Sequence, residues 1–391
     1  MARIPHIALL IETSREYARG LLRGVARYHH ENGPWSIYFV PHGLDEPPPT
    51  WLKHWQGDGI LCRINSTRMA RAVLATGIPA VDVRGALSES GVPFVGLDNR
   101  PIARLAYDHL LQCGLKNFAF CGRPRGENPP QDLRCDYFVG LVEQGGQRCE
   151  VFTGVGHRGG KRSWEQEQEE IARWLKKLPK PVGIMAANDD RGRQVLDACR
   201  RAGLSVPHEV AVLGVDNDTN LCSLCTPPLS SIETNAGLVG YEAAALLIRM
   251  MHGSKVPQEP VLIGSPRGLV RRQSTDILAI EDVEVAKALR YIRENACRGI
   301  QVRDVLAQTK HSPSTLERRV KALFGRSVKS EITRVRLETA KLLLQETNLR
   351  VAQIASRTGF NEAKYFCEVF RSVEGVTPTT FRKRFVVARS D

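Results

Sequence analysis

From residue 6 to about 250, apolar positions come in short unbroken runs that alternate with stretches of helical spacing. Ile7-Ala8-Leu9-Leu10-Ile11 has no polar interruption, the pattern of a strand covered on both faces in a parallel sheet. Residues 16–31 put Leu21, Leu22, Val25 and Tyr28 on one side, which predicts an amphipathic helix. Strands are predicted at 36–40, 59–64, 79–83 and 94–97, with a helix at 67–76. The rhythm restarts near residue 100. Helices at 100–113, 132–143, 164–178 and 191–202 alternate with strands at 117–121, 150–153, 182–186 and 210–215. A strand at 229–233 and a helix at 236–252, expected beside the first set, close the series. Such alternation predicts two α/β lobes, chain crossings near 100 and 232, and a cleft at the carboxyl ends of the strands.

Beyond a junction rich in Pro, Gly and charge (265–284), with the boundary near Asp276, the strand signal stops and only helical spacing remains. A helix is predicted at 286–295. Val302, Val305 and Leu306 then mark a short helix, a polar turn at 310–313 follows, and Ser312 with Pro313 starts a second helix over 314–323. Residues 329–346 read as one connecting helix of roughly 27 Å. Val351, Ile354 and Ala355 mark another short helix, Gly359 supplies a tight turn, and 362–372 forms a helix with Tyr365, Phe366, Val369 and Phe370 inward. The pattern occurs twice: a short helix, a turn, then a helix with one polar face. It presents recognition helices to major grooves, and the connecting helix spaces them for two grooves ~34 Å apart on one duplex face.

Charge sharpens the picture. The chain has 391 residues, long enough for two or three cores, and a net charge of +13. From Val283 on there are 22 basic and 11 acidic residues, against 33 and 31 upstream. A basic excess confined to one domain favours a polyanion partner. The start shows no signal-peptide pattern and no apolar run approaches ~18 residues, so a cytoplasmic protein without a membrane partner is expected. Ten scattered cysteines fit reduced core residues better than a disulfide framework. Cys222 and Cys225 form a lone CxxC without a second pair or nearby histidines, so neither metal nor cofactor is expected.

The C-terminal stretch resembles the arabinose-regulator (AraC/XylS) family. Ile354-Ala355, Gly359-Phe360, Tyr365-Phe366, Phe370-Arg371, Gly375-Val376-Thr377-Pro378 and Phe381-Arg382 carry that likeness in residue and spacing. The resemblance implies that Ser314, Thr315, Glu317 and Arg318 of the first recognition helix, and Ala363, Lys364, Tyr365 and Glu368 of the second, meet base edges. Asn361 and Glu362 join that exposed face. Ala363 cannot donate a hydrogen bond, and Glu368 must accept from a cytosine amino group to be tolerated. Arg318 and Lys364 are the favoured readers, while Lys321 and Arg371 suit phosphates.

Upstream, Val95-Gly96-Leu97-Asp98-Asn99, His109-Leu110, Gly114, Ala186-Ala187-Asn188-Asp189, Gly214-Val215-Asp216-Asn217 and Pro227-Pro228-Leu229-Ser230-Ser231-Ile232 stand in the order seen in lactose-repressor-like effector domains. Those domains are similar in fold to periplasmic sugar-binding proteins. The expected architecture is thus a two-lobed α/β periplasmic-binding-protein-like domain (1–275) followed by an all-α domain with two helix-turn-helix units (276–391). The resemblance carries a ligand role onto Arg134, Asn188, Asp189 and Asp216. A sugar's hydroxyls call for such short polar and charge-assisted partners. The competing reading of Asp189 and Asp216, the weaker of the two, is as helix caps or turn residues; Asn188 reads equally as cap or ligand, and Arg134 equally as a surface ion pair. Tyr17 either stacks on a sugar ring or packs at a helix start. Trp51 and Trp55 are weaker aromatic candidates. The 154–160 loop, with His157 and Arg158 and followed by Lys161 and Arg162, reads as an exposed loop or a phosphate site.

The function expected is a sugar-responsive transcription regulator, with activation favoured and repression left open by the sequence. Its implied partners are double-stranded operator half-sites, a pentose effector with D-xylose favoured, a second copy of the chain, and RNA polymerase. The competing reading is a sugar-modifying enzyme or a sugar-binding protein on the same scaffold. No phosphate-binding glycine loop, nucleophile elbow or metal-spaced histidine cluster supports the enzyme.

Overall fold

The computed structural model describes residues 3–40, 43, 46–87, 89–154, 163–255, 259–277 and 282–386. The phosphate-loop candidates at 155–162 lie outside them. The chain divides into two compact units, Met1–Leu110 with Lys116–Asp276, and Leu111–Leu115 with Ile277–Asp391.

The first unit has two α/β lobes. In the first, β1 (His6–Leu10), α1 (Glu16–Asn32), β2 (Ser36–Phe39), β3 (Gly59–Cys62), α2 (Thr67–Leu74), β4 (Ala80–Asp82) and β5 (Val95–Leu97) follow one another. A parallel sheet runs β2-β1-β3-β4. A bridge from Asp82 to Phe94 leads on to β5. The chain then enters the second lobe through α3 (Asn99–Gln112), β6 (Asn117–Cys121), α4 (Pro129–Gln144), β7 (Cys149–Phe152), α5 (Trp164–Lys177), β8 (Val182–Ala186), α6 (Asp189–Ala202), β9 (Val210–Val215), α7 (Thr219–Leu224) and β10 (Ser230–Glu233). It returns to the first lobe as α8 (Ala236–Met251), whose Val239, Ala243 and Leu247 complete the core around Ile7, Leu21 and Leu61.

A third crossing, which no apolar pattern announced, follows α8. Strand β11 (Val261–Ile263) pairs with β5, and β12 (Gly268–Val270) then lies antiparallel on β10, giving the second sheet the order β12-β10-β9-β8-β6-β7. The central strands β8 and β9 are wholly buried, which is why their sequences are unbroken apolar runs. Helices α1 and α8 approach through glycine. A Cβ on Gly24 would lie 1.9 Å from the Gly237 carbonyl oxygen, and one on Gly240 2.1 Å from that of Leu21. Trp51 and Trp55 pack against Tyr38 and each other at the first lobe's edge.

The second unit is helical: α9 (Val283–Asn295), α10 (Val302–Leu306), α11 (Pro313–Phe324), α12 (Val328–Glu346), α13 (Val351–Arg357), α14 (Ala363–Glu374) and α15 (Pro378–Val386). Leu289, Ile292, Val305, Leu316, Val320 and Ile332 make one core; Leu337, Leu344, Ile354, Phe366, Phe370 and Phe381 make another. Helix α12 serves both, and its 19 residues extend about 28 Å. Gly359 has φ +77, and a Cβ there would meet the Ala296 carbonyl oxygen at 2.8 Å. The turn before α14 therefore needs glycine for conformation and for space.

Candidate functional site

The cleft between the lobes is lined from the carboxyl ends of their strands. Asp216 follows β9 at φ 105, and Asn217 at φ 51, a left-handed pair in residues other than glycine. The turn is held by its neighbours. The Asn217 amide donates to Ser231 Oγ (3.0 Å), and Arg272 Nη2 donates to Asn217 Oδ1 (2.8 Å). Asp216's carboxylate makes no hydrogen bond among the described residues. Burial pushes it up to about 6, against the opposing pull of Arg134, Arg63 and Arg15.

Asp189 sits differently. Its Oδ1 accepts from Ser231 Oγ at 2.5 Å and its Oδ2 from the Asp218 amide at 2.7 Å, so both oxygens are engaged within the second lobe. Burial, with Asp216 nearby, pushes it up to about 8. Asn188 is the N-cap of α6, its Oδ1 accepting from the Arg191 amide (3.0 Å). Arg134 is buried at 5% exposure, not on the surface. Its Nε donates to Asn99 Oδ1 (2.8 Å) and its Nη1 to the Ala187 carbonyl. Tyr17 lies in the first turn of α1, and burial raises its hydroxyl while the Arg63 guanidinium, 5.4 Å from the ring centre, opposes.

Sequence reading missed three groups here. Glu12, after β1, and Arg63, after β3, form a buried ion pair. Asp82 closes β4 and accepts from the Ile64, Arg84 and Gly85 amides at 2.9–3.0 Å. Arg19 of α1 reaches across the lobes to Asp218 (2.7 Å), while Glu16 and the Thr13 carbonyl hold the same guanidinium. These partners are 51 and 199 residues apart, so only the sheet order and the lobe arrangement unite them. Cys222 and Cys225 belong to the second lobe's core, and burial pushes the Cys225 thiol up to about 11. No group of three metal-ligating side chains occurs among the described residues.

In the second unit, Ser312 caps α11 by accepting from the Thr315 amide, and Thr315 Oγ1 accepts from the Ser312 hydroxyl. Glu317 Oε2 accepts from the Val328 amide (3.1 Å), which places that carboxylate at the start of α12. Ser314, Arg318 and Lys321 are exposed on α11; Lys364, Tyr365, Glu368 and Arg371 are exposed on α14, with Asn361 and Glu362 just before it. Arg318, Lys321, Lys364 and Arg371 make no ion pair among the described residues, so four cations are available to a polyanion. Buried Leu316, Val320, Phe366 and Phe370 hold the two helices from behind. No helix among the described residues is long and apolar enough to cross a membrane.

Comparison with known proteins agrees with this division. Residues 107–275 match a periplasmic binding protein-like domain and 305–384 a helix-turn-helix domain. The chain is 31% identical to the xylose operon regulatory protein of Escherichia coli K12 over 385 residues, 96% of each chain. It is 31% identical to that of Haemophilus influenzae over 386 residues, 96% of this chain and 97% of that one. The solved structure of a xylose-binding transcription activator, XylR, superposes with a TM-score of 0.63 at 30% identity, covering 98% of this chain and 99% of the other. The chain therefore belongs to the family of xylose operon regulatory proteins, DNA-binding transcription regulators and not enzymes, in which a periplasmic-binding-protein-like unit precedes an arabinose-regulator-type helix-turn-helix unit.

Proposed function

We propose that residues 1–275 sense a neutral pentose, D-xylose or a close relative, and that residues 276–391 read operator half-sites in response, as an activator in a cytoplasmic homodimer that engages RNA polymerase. The observation that carries the sensing half is Asp216. A carboxylate held in a left-handed turn with no hydrogen-bond partner among the described residues, in the field of an arginine from each lobe, is poised to accept hydroxyl hydrogen bonds. Tyr17 supplies an aromatic face, and Arg134 a donor fixed by Asn99. Asn188 and Asp189 support that site by fixing α6 and the Asp218 segment. The names of the similar regulators favour xylose among pentoses.

On the output side, Arg318 and Lys364 read bases, with Ser314, Thr315, Tyr365, Glu368, Asn361 and Glu362 around them, while Lys321 and Arg371 hold phosphates. Glu317 acts on DNA through the α11–α12 corner that it fixes. The test is a thermal-shift screen of pentoses, hexoses and their phosphates, followed by DNA binding with and without the hit. A ligand at 100 times its Kd adds ~2.7 kcal/mol of stability. A ligand preference of ~2 kcal/mol for one state changes operator affinity about 30-fold. Absence of any shift with every sugar ends the sensing reading. A shift without change in DNA affinity ends the coupling.

A further inference from the structure

The cleft's carboxylates divide by what their oxygens do. Asp82 accepts from three backbone amides, and Asp189 from a hydroxyl and an amide, so both are engaged in holding the protein's own turns. Asp216 and Glu12 are different. Glu12 gives Oε1 to Arg63 Nη1, yet among the described residues its Oε2 meets no partner, and neither does Arg63 Nε. Their side chains are 2% and 8% exposed. A buried acceptor and a buried donor left empty are costly, and native structures keep them where something else completes them.

The pair's position says what that something is. Strands β1 and β3 are neighbours with Leu10 opposite Cys62, so residues 12 and 63 emerge side by side at the carboxyl edge of the first lobe's sheet. The Arg63 guanidinium lies over the Tyr17 ring, and its charge is felt by Asp216 on the other lobe. One lobe therefore offers Glu12 with Arg63, the other Asp216 with Arg134. A hydroxyl both donates and accepts, which matches an empty carboxylate oxygen beside an empty N–H.

We propose that the Glu12–Arg63 pair is the first lobe's half of the effector site, where it takes a hydroxyl of a neutral polyol whose far end meets Asp216. This rests on the sugar-sensing reading above and adds a specificity determinant to it. A site built around a hydroxyl rejects the analogue lacking it far more strongly than an apolar pocket rejects a missing methylene. The polyol must then carry hydroxyls at both ends, and removal of the one facing the pair abolishes recognition.

The experiment is calorimetric titration of the full chain with D-xylose and its mono-deoxy analogues, on wild type, Glu12→Gln and the double variant Glu12→Gln/Arg63→Gln. The double variant removes both charges at similar volume, so it keeps the fold where a single change leaves one buried charge unpaired. Both variants are expected to bind D-xylose at least 10-fold more weakly. One deoxy analogue is expected to lose at least 30-fold in wild type and only a few-fold in the double variant. A double variant that melts like wild type, binds D-xylose as tightly and keeps every deoxy penalty overturns the proposal alone. Wild type that binds none of these sugars overturns the sensing reading, and the proposal with it.

Discussion

The contact between Arg19 and Asp218 offers the sharpest perturbation of lobe closure. Asp218 Oδ2 takes Arg19 at 2.7 Å while its Oδ1 caps α7 through the Leu221 amide at 3.3 Å. Asparagine caps helices about as well as aspartate, so Asp218→Asn removes the charge across the cleft and spares the cap. A charge-assisted hydrogen bond contributes about 1.5–3 kcal/mol net. The two side chains are 31% and 15% exposed, and solvent screening lowers the figure to roughly 1–1.5 kcal/mol. If the pair forms only when the lobes are closed, that whole amount comes off effector binding. At ~1.4 kcal/mol per tenfold, Asp218→Asn should weaken effector affinity by about 5- to 12-fold. Calorimetry at low and high salt measures it. Arg19→Met should cost as much, and the double variant little more than either, because the two changes remove one interaction. Unchanged affinity in Asp218→Asn, or additive losses in the double variant, would refute a closure role.

Effector affinity should fall on acidification, since Asp216, at about 6, offers charge-assisted acceptance from both oxygens only when ionised, and protonation turns one of them into a donor. At pH 5 about one site in ten retains the charge, a loss of roughly tenfold that Asp216→Asn should flatten. Stability should move the opposite way. The folded-state values of Asp216 and Asp189 are raised, so their favourable contribution is complete below the unfolded value near 4 and disappears as pH climbs through about 6 and about 8. The melting temperature of Asp216→Asn should therefore depend less on pH across 4–8 than that of wild type. Gly24→Ala should separate α1 from α8 and cost about 3 kcal/mol in chemical denaturation, because the new Cβ meets backbone at 1.9 Å; a loss under 1 kcal/mol would contradict the packing. Arg318→Ala and Lys364→Ala should each cost about 1–3 kcal/mol and relax preference at one base position. Lys321→Ala and Arg371→Ala should weaken all sequences alike and lower the salt slope by about one, as titrations against matched and mismatched duplexes would show.

The interior was the legible part of this molecule. Strands such as β8 and β9 are buried on both faces and so carry unbroken apolar runs, and the crossing into α8 followed from an apolar helix after the last such run. Elements β11 and β12 have three residues each and none of them buried, and α7 has six, too short for any period to register. Side-chain duties were harder still. Glu317 lies on the outer face of α11 by spacing, yet its carboxylate is taken by the first amide of α12, a capture fixed by the angle between helices. Glu12 and Arg63 look unrelated in sequence because their meeting is a property of strand order.

The Asp216–Asn217 turn carries a further consequence. Left-handed backbone in residues with a Cβ is a local debt of about 1–3 kcal/mol each, and glycine would cancel much of it. A variant with glycine at 216 should thus be the hardier protein and a deaf one. Selection for robustness alone would erode the sensor, and an acid held in that conformation marks a place where stability is given up for hearing.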